Sequence, residues 1–117
     1  MLLDGHAVAK KIYAEIEKKM KRDPDLFLVA EFDAQLIGSV LGGFDGRRGT
    51  IYHLSVFTEY RSQGVATQLL NELERRLQWK GCKKSYLLVN ADNAEVFPFY
   101  EHRGWKRTDN IIYSKEF

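Results

Sequence analysis

The stretch Leu54–Ala66, LSVFTEYRSQGVA, joins a strand pattern to the start of the strongest helix pattern in the chain. Thr50–Phe57 is rich in β-branched and aromatic residues, which predicts a strand. Apolar residues then recur every fourth position from Val65 to Leu77, which predicts a helix with one buried face. Between them lies Gly64. This order brings the unpaired N–H groups of a helix start to the end of a strand, where they suit a pyrophosphate.

Outward from this stretch, residues 1–117 are expected to form a single domain. Segment 1–25 carries a helix pattern at Val8–Lys21, which the following Asp-Pro-Asp ends, and residues 26–117 form the core. A second core helix is predicted at Asn93–Arg103. The predicted strands are Leu26–Ala30, Leu36–Phe44, Thr50–Phe57, Lys83–Asn90, Trp105–Lys106 and Ile111–Lys115. The order predicts an α/β fold, a mixed sheet with helices packed on it.

The composition narrows the class of protein. The chain has 18 basic and 16 acidic residues, and its net charge of +2 is too weak to indicate nucleic acid as a partner. Arg47–Arg48 and Lys83–Lys84 are interpreted as solvated loops, which disfavours RNA binding. No apolar segment has the length that spans a bilayer, so no membrane partner is expected. Cys82 is alone, which predicts a buried thiol, no disulfide, no metal site and a reducing cytoplasm.

The loop before the helix differs from two common phosphate-binding motifs. It lacks the Lys-Ser or Lys-Thr of a P-loop and the three glycines of a dinucleotide fingerprint. Gly64 instead permits a tight turn, small Ala66 leaves room in the first helical turn, and Arg61 adds a mobile positive charge. From these residues alone, an anion site and the plain start of a core helix are equally supported.

Two motifs resemble those of one superfamily. The loop at 61–66, Arg-x-x-Gly-x-Ala, resembles the Arg/Gln-x-x-Gly-x-Gly/Ala motif of the GNAT N-acetyltransferases. Downstream, Asn93 stands seven positions before Tyr100 and a Gly-aromatic pair follows at 104–105, which resembles the second signature of that superfamily. The likeness extends from Leu26 to the C-terminus, and two motifs in the expected order make it specific.

This resemblance implies a GNAT-like fold that binds acetyl-coenzyme A and transfers its acetyl group to an amine. The parallel strands Thr50–Phe57 and Lys83–Asn90 are expected to diverge and admit pantetheine. The pantetheine amides would then pair with the backbone of Leu54 and Val56. Asn93 is expected to hydrogen-bond the same arm. The residues that the resemblance places around the pyrophosphate are Arg61, Ser62, Gln63, Gly64, Val65, Ala66 and Thr67.

Acetyl transfer needs a neutral amine, a donor for the oxyanion and a proton for the leaving thiolate. The resemblance implies Tyr100 as the general acid and the N–H of Val56 as the oxyanion donor. His53 is the candidate general base, because an imidazole titrates near neutral pH. Strand alternation is expected to place His53 on the opposite face from its two neighbours. Glu31, Tyr52 and a chain of water molecules remain alternatives.

Three features depart from the family pattern. Leu88 occupies the position of the catalytic Glu in the ribosomal-protein N-terminal acetyltransferases, which argues against their base and their substrate. Because only residues 1–25 precede the matched region, the first strand of the family is expected to be missing, with a homodimer covering the open edge. Pro98 lies inside a predicted helix and is expected to kink it, shifting Tyr100.

One further likeness and one alternative function complete the interpretation. Leu26–Glu31 and Gly42–Gly46 are most similar to small bacterial members of the superfamily, the YpeA-like proteins. The missing strand and the lack of an obvious base support an alternative, a module that binds coenzyme A without turnover. Detectable acetyl transfer separates the two functions.

Overall fold

The protein folds around a five-stranded mixed sheet. The structure is a computed structural model and describes residues 2–4 and 23–117. Neighbouring strands follow the chain order from β1 to β5. The first four are antiparallel, and β4 and β5 are parallel, which confirms the predicted mixed sheet. The strands are β1 (Leu2–Asp4), β2 (Phe27–Phe32), β3 (Gln35–Phe44), β4 (Gly49–Val56) and β5 (Ser85–Leu87).

Two α-helices lie in the described part of the chain, α1 (Val65–Trp79) and α2 (Phe97–Glu101). Short 3-10 turns occur at Pro24–Leu26, Thr58–Tyr60 and Ala94–Val96. The helix predicted at Val8–Lys21 lies outside the described residues. Within the ranges 2–4 and 23–117, neither helix has the length and apolar character needed to cross a membrane.

The expectation of a missing first strand is wrong. Leu2–Asp4 form β1, which pairs antiparallel with β2 through Leu2↔Ala30 and Asp4↔Leu28. Three residues are too few to show the alternating apolar pattern of a strand in the sequence. Hydrogen bonding to β2, and not such a pattern, therefore determines this strand. The edge of β2 is therefore paired within the chain at Leu28–Ala30, and the outer edge of the sheet is that of β1.

The C-terminal third is less regular than its sequence pattern predicts. The strand predicted at Lys83–Asn90 is only Ser85–Leu87, and the helix predicted at Asn93–Arg103 is a 3-10 turn followed by the short α2. The strands predicted at Trp105–Lys106 and Ile111–Lys115 are wrong, since no ladder forms after residue 104. A short run of β-favouring residues specifies an extended backbone but not a pairing partner.

Pro98 does not kink a helix as expected. Because α2 begins at Phe97, Pro98 lies in its first turn. The N–H groups of a first turn have no partner within the helix, so the missing proline N–H costs nothing there. Tyr100 therefore lies on a regular helical turn.

Helix α1 packs on a row of glycines in the sheet. Its apolar stripe Leu69, Leu73 and Leu77 is buried, with exposed fractions of 0 to 2%. A Cβ placed on Gly38 would lie 3.2 Å from a methyl carbon of Leu69. The same distance would be 2.9 Å from Gly42 to Leu73 and 3.2 Å from Gly49 to Leu77. Each leucine thus occupies the space above one glycine, which lets the helix approach the sheet closely.

The end of α1 agrees with its sequence signals. Gly81 has the left-handed φ of +94° expected after a helix, and its N–H donates to the carbonyl of Gln78 at 3.0 Å. Cys82 is buried, and its Sγ donates to the carbonyl of Lys84 at 3.3 Å. The prediction of a buried structural thiol is confirmed.

We expect the Leu73–Gly42 contact to be a measurable part of stability. Leu73→Ala should lower the free energy of unfolding by about 2–5 kcal/mol through lost burial and a residual cavity. Gly42→Ala should lower it by about 1–3 kcal/mol through overpacking. The double variant should lose less than the sum, because the shortened side chain leaves room for the new methyl group. Urea unfolding measures all three variants.

Trp79→Ala on the same helix is the control. Its side chain is 87% exposed, so the change should stay within about 0.5 kcal/mol. Additive losses in the double variant, or a Leu73→Ala effect no larger than that of Trp79→Ala, would contradict the packing described.

Candidate active site

Strands β4 and β5 diverge after three paired residues. Their parallel ladder ends at Ile51↔Leu87, while β4 continues to Val56 and the chain leaves the sheet after Leu87. The divergence opens a cleft of about 270 Å³. Six residues singled out from the sequence line it: Tyr52, His53, Leu54, Leu88, Asn93 and Tyr100. The structure therefore brings together residues that are far apart along the chain.

A larger groove of about 1020 Å³ runs between β5, the end of α1 and segment 103–112. It exists because no strand of the described chain covers the outer edge of β5. None of the predicted cofactor-binding residues lines this groove. Of the predicted catalytic residues, only Tyr100 lines it, and Tyr100 also lines the smaller cleft. The smaller cleft is therefore the candidate active site, since predicted site residues of β4 and α2 line it together; none of the described residues 57–79 lines it.

The backbone of β4 presents free groups to this cleft. The N–H of Phe57 donates to the carbonyl of Ile37 on β3 at 2.9 Å. Because successive residues of a strand direct their backbone groups to opposite sides, the groups of Val56 and Leu54 face away from β3; of the two residues, Leu54 lines the cleft and Val56 does not. Arg61 agrees with this direction, since its Nε donates to the Val56 carbonyl at 3.1 Å. The N–H groups of Leu54 and Val56 are thus available for a ligand.

The loop at 61–64 leaves the start of α1 open. Gly64 is the N-cap with φ +83°, and no side chain of the described residues caps the helix. A Cβ on Gly64 would meet no atom within 4 Å, so glycine is required there by the backbone conformation and not by crowding. Ser62 is also left-handed, at φ +64°, and the Gln63 side chain donates to the Glu59 carbonyl at 3.3 Å. The first N–H groups of α1 therefore keep no protein cap, as an anion site requires.

The Arg61 side chain is held by a hydrogen bond, whereas the sequence predicts a mobile positive charge. Its Nε contact with the Val56 carbonyl bridges the loop and the end of β4, while the residue as a whole is exposed. The guanidinium keeps its other N–H groups for an anion. Val65, Ala66 and Thr67 form the first turn of α1 and are half-buried.

Tyr100 lies on α2 and closes one side of the cleft. It is half-buried, and its ring meets that of Phe99 edge to face with centroids 5.2 Å apart. Burial raises the pKa of the Tyr100 phenol above its usual value. The phenol therefore holds its proton at neutral pH in a partly desolvated position.

A β-bulge changes the expected facing of His53. The pairing of β3 with β4 shifts between Leu41↔His53 and Gly42↔Ile51, so Tyr52 is an extra residue in β4. Tyr52 and His53 are both exposed, between Ile51 and Leu54, which belong to the core cluster. The simple alternation expected at this point is wrong, because an inserted residue interrupts the period. His53 and Tyr52 both line the cleft.

Glu31, the other candidate base, lies on β2 and does not line the cleft. Leu88 does line it and is 69% exposed. No sequence motif indicates that Arg103 donates two hydrogen bonds to Thr67, because the two residues are 36 positions apart. Among the described residues, no cluster of His, Cys, Asp and Glu could hold a metal ion.

The chain belongs to the GNAT family of acetyltransferases. The sequence profile of the Acetyltransferase (GNAT) family matches residues 4–105. An acetyltransferase of Pectobacterium atrosepticum is 44% identical over 101 residues, which cover 86% of this chain and 72% of the relative. One of Sodalis glossinidius is 43% identical over 98 residues, covering 84% and 69%. The protein is accordingly an acyltransferase.

Solved structures share the fold. Ard1 of Thermoplasma volcanium superimposes with a TM-score of 0.75 at 21% identity, covering 88% of this chain and 74% of that one. An aminoglycoside N-acetyltransferase in complex with coenzyme A gives 0.74 at 16% identity, covering 100% and 98%. These likenesses support the mixed-sheet architecture described above.

The raised pKa of Tyr100 leads to a titration experiment. Absorbance of tyrosinate against pH should show that Tyr100→Phe removes a phenol that ionises above the ordinary value of about 10. Because the neutral form is favoured in the folded state, its stabilising contribution is complete below that value. It is lost as pH rises through the raised pKa.

Tyr86→Phe is the matched comparison, because the pKa of the Tyr86 phenol is shifted down whereas that of Tyr100 is shifted up. A hydrogen bond from Arg48, helped by the nearby Lys84 charge, lowers the pKa of the half-buried Tyr86. This variant should lose a phenol that ionises below about 10. Equal ionisation of the two phenols would contradict the environment assigned to Tyr100.

Proposed function

We propose that the protein transfers the acetyl group of acetyl-coenzyme A to a primary amine, with Tyr100 as the general acid. The observation that carries this proposal is the cleft where β4 and β5 part, which brings Leu54, Asn93 and Tyr100 together. The uncapped start of α1 follows the loop that Arg61 joins to the end of β4 through the Val56 carbonyl. A strand edge, an anion site and a protonated phenol are the three elements that this reaction needs.

The acetyl donor would lie along β4 in an extended conformation. Its pantetheine amides pair with the N–H of Leu54 and with the second lone pair of the Val56 carbonyl, as an added strand does at a sheet edge, which leaves the Val56 N–H for the reaction. The Asn93 side chain, at the rim of the cleft, hydrogen-bonds the same arm. The pyrophosphate sits on the N–H groups from Gln63 to Thr67, where the helix dipole favours a negative charge.

In the reaction, the neutral amine nitrogen attacks the thioester carbonyl carbon and a tetrahedral oxyanion forms. The N–H of Val56 on the cleft side of β4 stabilises this oxyanion. The carbon–sulfur bond then breaks, and the thiolate takes the phenolic proton of Tyr100. The attacking nitrogen loses a proton to His53, or to solvent through the open cleft that His53 and Tyr52 line. Tyr100 regains its proton from solvent.

The acceptor is proposed to be a primary amine that reaches the cleft from the exposed side of Tyr52 and His53. The fold neighbours include aminoglycoside N-acetyltransferases, whose substrates carry amines, at identities that support the fold alone. Leu88 in the wall of the cleft offers no carboxylate, so a base of the ribosomal-protein acetyltransferase type is not proposed. The single buried Cys82 fits a reducing cytoplasm as the place of action.

Calorimetric titration with acetyl-coenzyme A tests the donor site through two glycine variants. Gly64→Trp should abolish binding, because an indole would fill the space of the pyrophosphate at the start of α1. Gly46→Trp is the matched control, since Gly46 has φ +96° and a Cβ added there, like one added to Gly64, would meet no atom within 4 Å. Both variants therefore carry the same backbone strain, of about 1–2 kcal/mol.

The control lies in the turn between β3 and β4, at the opposite end of β4 from the cleft. It should bind acetyl-coenzyme A as the parent does. Equal loss of binding in both variants would assign the effect to strain. No binding by the folded parent would overturn the proposed function.

Tyr100→Phe tests the general acid. The variant should lower kcat roughly 10²–10⁴-fold, because the thiolate then leaves without a proton donor. The assay is a screen of primary amines in which the release of free thiol is measured. Affinity for acetyl-coenzyme A should stay near that of the parent. Tyr113→Phe, on a side chain that is 92% exposed, is the control and should keep full activity.

An unchanged kcat in Tyr100→Phe would remove Tyr100 from the mechanism while leaving the donor site in place. Binding without turnover by the parent on every amine would favour the coenzyme A-binding module over the enzyme.

A further inference from the structure

Arg103 joins the end of α2 to the first turn of α1. Its Nε donates to Oγ1 of Thr67 at 3.0 Å, and its Nη2 donates to the same oxygen. Its Nη1 donates to the carbonyl of Phe99 at 2.7 Å, and the guanidinium carbon lies 3.8 Å from the centre of the Phe99 ring. The side chain is half-buried. These contacts fix both the plane and the position of the guanidinium beside Thr67.

The two hydrogen bonds determine what the Thr67 hydroxyl can still do. A hydroxyl group has two acceptor lone pairs and one proton to donate. The two N–H groups of Arg103 point the same way and together take up the acceptor side of Oγ1. Thr67 is left as a donor only, and it stands in the first turn of α1, third after the N-cap Gly64.

A threonine in a helix commonly donates to the carbonyl four residues earlier, which here belongs to Gln63. Among the described residues, no hydrogen bond from the Thr67 hydroxyl to that carbonyl is formed, and Oγ1 takes part only in the two contacts with Arg103. The Arg103 fork thus restrains the hydroxyl in a position where its proton remains available to a ligand at the helix start.

We propose that Arg103 is a positioning residue that turns the Thr67 hydroxyl into a dedicated donor for the pyrophosphate of the acetyl donor. This inference rests on the proposed function, which places the pyrophosphate at Gln63–Thr67. The guanidinium supports it electrostatically, because within residues 23–117 no carboxylate forms a salt bridge with Arg103. Its charge therefore adds to the positive end of α1 next to the anion.

The arrangement also links donor binding to Tyr100. Arg103 lies three positions after Tyr100, and the N–H of Arg103 donates to the Tyr100 carbonyl at 3.0 Å. Trp105 anchors the same segment to α1, since its Nε1 donates to Oε2 of Glu74 at 3.4 Å. Helix α2 is therefore held to α1 at both the pyrophosphate end and the middle of that helix.

A double-mutant cycle read by calorimetry with coenzyme A tests the proposal. Thr67→Val keeps the side-chain shape without the hydroxyl and should weaken binding about tenfold, the effect of one hydrogen bond to a charged group. Thr67→Ser keeps the hydroxyl and should bind nearly as the parent does. Arg103→Met should weaken binding at least as much as Thr67→Val. In the Arg103→Met background, Thr67→Val should then have no further effect, because the hydroxyl is no longer directed at the ligand.

A merely structural role for Arg103 predicts a different result. General loosening of α2 would weaken binding without depending on the Thr67 hydroxyl, so the two losses would be additive, and that outcome overturns the proposal. If Arg103→Met is unfolded by its thermal melt, Arg103→Lys takes its place in the cycle, because a lysine keeps the charge but cannot supply the paired donors.

Failure of this inference is distinct from failure of the proposed function. Unchanged affinity in Thr67→Val, with binding still abolished in Gly64→Trp, would overturn the role of Arg103 and keep the donor site. Absence of coenzyme A binding by the parent would overturn both.

Discussion

The contact between α1 and the glycines of the sheet determines where everything else lies. Leu69, Leu73 and Leu77 each fill the space above a glycine of β3 or β4, so the helix axis runs close to the sheet in one register. A Cβ on Gly42 would come within 2.9 Å of Leu73, which makes this spacing sensitive to a single methyl group. With the helix fixed in this way, Leu69 lies over Gly38, the partner of Val56, so the N-terminal half of the helix lies near the carboxyl end of β4.

The second constraint is the early end of the parallel ladder. Pairing of β4 with β5 stops at Ile51↔Leu87, and the remainder of β4 has no neighbour on that side within the described chain. Backbone groups at such an edge normally invite another strand. Here the carbonyl of Val56 is met by Arg61, while the N–H groups of Leu54 and Val56 stay open toward the cleft. This partly protected edge is where we propose that the extended acetyl donor binds, and it offers no long template for aggregation.

Local signals predicted much of this fold, and tertiary pairing accounts for what they missed. Strands β2 to β4 and helix α1 follow from apolar periodicity and flanking glycines, which act within a few residues. The bulge at Tyr52, the short β1 and the early end of β5 arise from register between strands, which no local pattern encodes. The candidate site divides in the same way. The loop at 61–67 could be predicted from its sequence motif. The Arg103–Thr67 contact could not, because it forms only when α2 lies against α1.

The position of Tyr100 follows from these same constraints. A phenol is useful as an acid here only if it keeps its proton and stands where the donor thiolate forms. Burial on α2 raises its pKa and so meets the first condition. The second depends on α2, a helix of five residues that is too short to be stable alone and must be held from outside. Arg103 and Trp105 hold it to α1 at two points, and α1 is itself fixed by the glycine row. Tyr100 is thus positioned by the same packing that fixes the start of α1, so one helix would locate both ends of the acetyl donor in the reaction that we propose.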